Sequence, residues 1–186
     1  MTIELPKVTA HMVSSLDGFI AKKDGSLSWL ETTDTYEHGV IEEGTEEFLK
    51  TIDCFVMGAK TYEQALALAV DFGWPYGDVP TFVLTHRALP TARASIEFYA
   101  GDLENFVNDR LKPNYNNIWL VGGAALFKDF FRLGLVDDLR QTIVPIILGD
   151  GTLFYDRIGQ ERPLHLKDVT AYQNGMVDLW YEVRKE

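Results

Sequence analysis

The chain has 186 residues, 46% of them hydrophobic and 24% charged, which suits one domain (1–186) with a real core and argues against dominant disorder. Its 28 acidic against 17 basic residues give a net charge of -11, a field that repels nucleic acid and anionic membranes, so an anionic ligand must be held by local donors. No apolar run approaches the roughly 18 residues of a membrane span, the first seven residues lack the layout of a secretory signal, and Cys54, the one cysteine, can make neither an internal disulfide nor a cysteine metal cluster; a cytoplasmic protein without a metal site is expected.

In chain order, Val8 to Val13 reads as a first strand and Ser14 to Ser28 as a loop rich in Ser, Gly and Asp. Ile41, Phe48, Leu49 and Ile52 share a helical face, and the run Glu42 to Glu47 reads as a solvated helix surface. Cys54 to Met57 is an unbroken apolar run, the mark of a central strand buried on both faces, with Cys54 a core residue. Tyr62, Ala65, Leu66 and Ala69 then take helical spacing. Short strands follow at Thr81 to Leu84 and Ser95 to Tyr99. Asp102 is placed to cap a helix with Leu103, Phe106, Val107 and Leu111 on its apolar face and Pro113 after its end. Ile118 to Val121 is a further apolar strand, leading through Gly122-Gly123 to a helix with Leu126, Phe127, Phe130 and Phe131 inward. Beyond it the pattern turns antiparallel: Leu139 to Leu148 reads as strand and apolar loop, and Asn174-Gly175 signals a hairpin joining Leu166–Gln173 to Met176–Arg184. The expected class is α/β, a mixed and mainly parallel sheet with helices on both faces and a C-terminal antiparallel hairpin.

Two strand-to-helix junctions can hold phosphate. At the first, Gly58 ends a buried strand, Lys60 adds positive charge and Thr61 offers a hydroxyl. At the second, Gly122, Gly123, Ala124 and Ala125 leave the start of a helix bare, so its free N–H groups and dipole favour an anion. A tight turn explains either junction taken singly; together they can grip opposite ends of a dinucleotide. Neither is the G-x-G-x-x-G fingerprint, and there is no Walker motif. Thr85, His86 and Arg87 end another strand, where Arg87 can hold a 2′-phosphate or simply be a solvated arginine. In the early loop, Asp17-Gly18 makes a turn, Trp29 suits the core and Asp34 suits a helix cap.

The segments Ser15-Leu16-Asp17-Gly18, Met57-Gly58-x-x-Thr61-Tyr62-Glu63, Leu84-Thr85, Val121-Gly122-Gly123 and Val136-Asp137-Asp138-Leu139, followed by Pro145 to Gly151, resemble in order and spacing the C-terminal reductase domain of bifunctional riboflavin-biosynthesis proteins. That domain belongs to the dihydrofolate reductase superfamily, and the resemblance runs from about residue 8 to about residue 184. It implies a three-layer fold on an eight-stranded sheet, a homodimer, and NADPH as the cofactor for hydride transfer to a pyrimidine, pterin or related heterocycle, as in 5-amino-6-(5-phosphoribosylamino)uracil reduction. It places Gly18 and Ile20 in a loop over the nicotinamide, and Gly58, Lys60, Thr61, Thr85, His86, Arg87 and Gly122 to Leu126 around the cofactor. It places Asp17, Trp29 and Asp34 at the substrate, with Asp34 and Asp17 as the catalytic candidates. Three departures stand out: Ala59 occupies the family's usual arginine position, no arginine matches the one that holds a folate tail, and the deaminase domain is missing. The alternatives are a cofactor-binding module with little turnover, dihydrofolate reduction itself, or an acid-base hydrolase using Asp17 and Asp34.

Overall fold

Lys7–Ser15 forms strand β1, in which Val8, Ala10 and Met12 alternate inward while Thr9, His11 and Val13 face the other side. This computed structural model describes residues 5–41, 47, 49–91 and 93–185. Phe48 of the expected 41–52 helix, and 42–46 of its acidic run, lie outside the described residues.

After a short strand β2 (Phe19–Ala21), β3 (Cys54–Gly58) runs directly into helix α1 (Ala59–Phe72). β4 (Thr81–Leu84) and β5 (Ile96–Tyr99) follow. Asp102 caps the next helix as its side chain accepts from the Asn105 N–H at 2.9 Å. That helix, α2 (Leu103–Asn105), continues as a π-helical segment, Phe106–Leu111. Its wider turn brings Phe106, Val107 and Leu111 to one buried face, four to five residues apart. Then come β6 (Asn117–Gly122), α3 (Ala124–Arg132), β7 (Asp138–Val144), the two-residue β8 (Thr152–Leu153), β9 (Leu164–Ala171) and β10 (Val177–Val183).

Eight strands form one sheet in the order β5-β4-β3-β6-β1-β7-β10-β9. The first six run parallel; β10 pairs antiparallel with both β7 and β9, which gives the expected mixed sheet and closing hairpin. One core lies between the sheet and α2, its π-helical extension and α3, and holds Cys54, Val56, Leu120, Phe106, Phe127 and Phe130. A second lies on the opposite face beneath α1, and holds Phe55, Met57, Tyr62, Val83 and Trp119. Fully buried rings such as Phe127 and Phe130 contribute about 1.5–3 kcal/mol each. Cys54 sits in the first core, where burial, and then the neighbouring Asp53, push its thiol up to about 12, so it is no nucleophile.

The hairpin turn differs in detail from a two-residue Asn-Gly loop. Gly175 donates to the Tyr172 carbonyl at 3.0 Å, so Gln173 and Asn174 are the central residues, and Gly175, at φ 79°, is the left-handed residue of the bulge that follows. The early loop is also more ordered than its composition implies, because β2 pairs antiparallel with β8.

Candidate active site

Three adjacent strands, β4, β3 and β6, present their C-terminal ends side by side. Each ends at a segment singled out in the sequence. β3 ends at Gly58, and α1 starts at the next residue; no side chain caps that start, and no acidic residue occupies the first turn. β6 ends at Gly122, and α3 starts after Gly123, again without a side-chain cap or an acidic first turn. The two helices leave on opposite faces of the sheet, and their N-termini meet. A methyl built on Gly123 would stand 3.4 Å from Thr61 Oγ1, and one built on Gly58 would stand 3.9 Å from the Leu126 side chain. The bare N–H groups of two helices thus flank one small region, where an anion gains from both dipoles. The Gly122–Gly123 peptide is cis.

Arg87 is also brought here, through a bond to the first helix. Its guanidinium forks onto the Glu63 carboxylate of α1, at 3.0 Å from Nη1 and 2.5 Å from Nη2. That hydrogen bond lowers the Glu63 carboxyl below its ordinary range and raises the guanidinium further above its own. Thr85 holds the turn by accepting from the Arg87 backbone N–H at 3.0 Å. His86 and Lys60 are exposed beside it, and Ala124 and Ala125 line a shallow cavity of about 420 Å³ with Lys128 and Asp156.

A second cavity, of about 280 Å³, opens under α1 between β1 and β6. Ile20, Leu27, Leu30 and Val121 give it apolar walls; Thr61 and Gly123 tie it to the helix starts; His11, Gln64 and Tyr76 are its other polar groups. Among the described residues no carboxylate or basic aliphatic side chain lines it. Burial pushes the Tyr76 phenol up to about 12, so that group stays neutral.

Asp17 points elsewhere. Its Oδ1 accepts from the Ser15 hydroxyl at 2.6 Å and the Leu148 N–H at 3.1 Å, and its Oδ2 accepts from the Gly149 N–H at 2.7 Å. The Ser15 bond, against the opposing effect of burial and with help from the backbone donors, holds its carboxyl below the ordinary range. Asp17 is therefore a tether between the loop after β1 and the loop after β7, with Gly18 in the left-handed region at φ 88° and its carbonyl accepting from Phe154. Trp29 is buried between the cavity residues Leu27 and Leu30. Asp34 is not brought to either cavity and begins no described helix: it is exposed, with its carboxylate against Gly175 of the hairpin turn and its N–H on Thr32 Oγ1 at 3.2 Å. The five-residue step from Trp29 to Asp34 does not carry both residues to one wall, because the chain leaves the cavity after Leu30 and passes to the β9–β10 edge, where Val40 bridges Tyr172.

Residues 6–177 match the family model described as the RibD C-terminal domain. The chain belongs to that family. The uncharacterized protein YwjB of Bacillus subtilis is 34% identical to it over 174 residues, covering 89% of this chain and 92% of YwjB. A crystal structure of a putative riboflavin biosynthesis protein from Shewanella superposes with a TM-score of 0.80 at 22% identity, covering 96% of this chain and 99% of that one. Dihydrofolate reductase from Enterococcus faecalis, complexed with NADP(H), superposes with a TM-score of 0.59 at 16% identity over 96% of this chain and 97% of the reductase. The chain thus has the dihydrofolate reductase-like fold that the motifs implied.

His11, Gln64 and Tyr76 escaped the sequence reading. A lone histidine inside an otherwise inward-outward strand was the one available signal for His11. Tyr76 sits among turn residues and carries no pattern.

Proposed function

We propose that this protein is an NADPH-dependent reductase that reduces a neutral pyrimidine, pterin or related heterocycle, the kind of reaction its family performs in riboflavin biosynthesis. The observation that carries the reading is the meeting of two uncapped helix N-termini, at Gly58 and Gly123, beside an apolar cavity that no Asp, Glu, Lys or Arg lines among the described residues.

The residues present fit a dinucleotide. Gly123 and Gly58 keep the helix starts open to a pyrophosphate, and a side chain on Gly123 would stand in that approach. Arg87, freed from Glu63, supplies a forked donor for a 2′-phosphate, and Lys60 adds charge on the same side, in place of the arginine that Ala59 replaces. When bound, the reduced nicotinamide supplies the hydride. The protein's own part is placement and exclusion of water. Ile20 of β2 lines the cavity, Asp17 fixes the turn just before it to Leu148 and Gly149, and Leu27, Leu30 and Val121 dry the space beside the helix starts. Neither Asp17, whose oxygens are already engaged, nor Asp34 is positioned at the cavity to deliver a proton, which fits proton delivery by water entering the cavity.

The test is a fluorescence titration with NADPH and NADH, followed by stopped-assay screening of aminopyrimidines and pterins with the tighter cofactor. Saturable NADPH binding with oxidation dependent on a ring substrate supports the reading. Saturable binding without turnover on any ring supports the nucleotide-binding module instead, and no binding of either cofactor removes both.

A further inference from the structure

His11 lies at the centre of β1, flanked by β6 and β7, and its side chain is on the cavity wall. Its ring rests on Trp119 of β6 with centroids 4.6 Å apart. On the other side, Nε2 meets Thr142 Oγ1 at 2.8 Å. The Thr142 hydroxyl in turn bonds Asp178 Oδ1 at 2.9 Å, while Asp178 Oδ2 takes the Arg140 Nε at 2.5 Å. Counting protons fixes the tautomer. A carboxylate paired with Arg140 has no proton to give, so Thr142 must donate to it. A hydroxyl has one proton, so toward His11 the same oxygen can only accept. Nε2 therefore carries the ring proton, and Nδ1 presents a lone pair. The ring also stays neutral: burial, then the Arg140 charge, push His11 down to about 3, although Asp178 lies 3.9 Å from Nε2.

Resting on the reductase reading, we propose that His11 Nδ1 is the acceptor that selects the substrate ring, taking a ring or lactam N–H, so that the cavity prefers a neutral heterocycle bearing that N–H over one whose nitrogens are alkylated. Thr142, Asp178 and Arg140 are positioning residues that hold the tautomer. A buried acceptor left unmet discriminates well, because the alkylated ring offers nothing in exchange for the water it displaces.

Two measurements test this on the intact protein. The first is long-range proton–nitrogen correlation of histidine-labelled protein, with His11 assigned by its loss in His11→Gln. The expected spectrum shows the Nε2–H form, unchanged from pH 5 to 8; an Nδ1–H form, or titration near pH 6.5, overturns the proposal. The second is equilibrium binding of 5,6-diaminouracil and its 1,3-dimethyl counterpart, with and without NADP⁺. The parent protein should bind the unmethylated ring about tenfold or more tightly, and His11→Leu should cut that ratio to less than about threefold. Equal affinity of the parent for both rings, or failure to bind either, overturns the His11 assignment. The NADPH titration judges the reductase reading separately: loss of cofactor binding with the ring preference intact sinks that reading and leaves the acceptor in place.

Discussion

Gly122 and Gly123 are chemically identical neighbours at the end of β6, yet their substitution should have opposite consequences. Gly122 has φ 111°, which L side chains rarely adopt, and a built Cβ would lie 2.5 Å from the terminal methyl of Met12. The backbone penalty is about 1–2 kcal/mol, and the Met12 methyl, the far end of a flexible side chain, must also move aside, so Gly122→Ala should cost about 1–3 kcal/mol of stability. For a domain of this size that is a fall in melting temperature of about 2–12 °C. Gly123 has φ -80° and ψ -161°, an extended conformation open to any residue, and among the described residues a Cβ would contact Thr61 Oγ1 alone, at 3.4 Å. Gly123→Val should therefore cost about 1 kcal/mol or less, within the range of substitutions that leave the core alone. Its branched side chain would instead stand over the first N–H groups of α3. Losing one charge-assisted hydrogen bond there, at about 1.5–3 kcal/mol, should weaken NADPH binding about ten- to a hundredfold. Differential scanning calorimetry and NADPH titration on both variants separate the effects. If Gly123→Val melts normally and binds NADPH as the parent does, the helix start holds no phosphate and the reasoning fails.

Arg87→Ala should weaken NADPH binding and leave NADH nearly unchanged, whereas Glu63→Gln, which releases the guanidinium, should tighten NADPH; equal effects on both cofactors in titration would make the pair structural. Since the Asp17 carboxyl is held below its unfolded value of about 3.9, its tether contributes stability that is whole above that pH and is lost as pH falls through the lower folded value. Urea melts of the parent and Asp17→Asn should therefore differ at pH 7 and converge towards pH 2, and a constant gap would remove the tether. Cys54, buried and held up at about 12, should resist iodoacetamide in the native protein at pH 8 and react on unfolding in guanidinium, as read by mass spectrometry; rapid native labelling would contradict its place in the core.

The strands legible in the sequence were those whose burial is continuous or strictly alternating. Cys54 to Met57 and Ile118 to Val121 read plainly because both faces are covered, and the Gly58 and Gly123 junctions followed because a helix pattern resumes at once. What stayed hidden depends on partners far along the chain. β2 and β8, three and two residues long, show no period, and what makes them strands is each other, across some 130 residues. The role of Asp17 is set by Leu148 and Gly149, and that of His11 by Thr142 and Asp178. Asp34 shows the converse hazard: a local spacing that matches a motif, in a segment whose path is decided by the Tyr172–Gly175 turn against which it lies.

The position of β1 has a bearing on how the chain matures on the ribosome. It is the first strand of the large sheet to be synthesised, yet its two neighbours are β6 and β7, whose pairing residues begin at Asn117 and Asp138. Its inward residues Val8, Ala10 and Met12 must wait for more than a hundred further residues before any strand can lie beside them. At about 5–20 residues per second that is a delay of several seconds with an apolar strand uncovered. Nascent chains stopped before residue 117 should accordingly be the ones that chaperones hold, and those long enough to free β7 from the exit tunnel the first to let go.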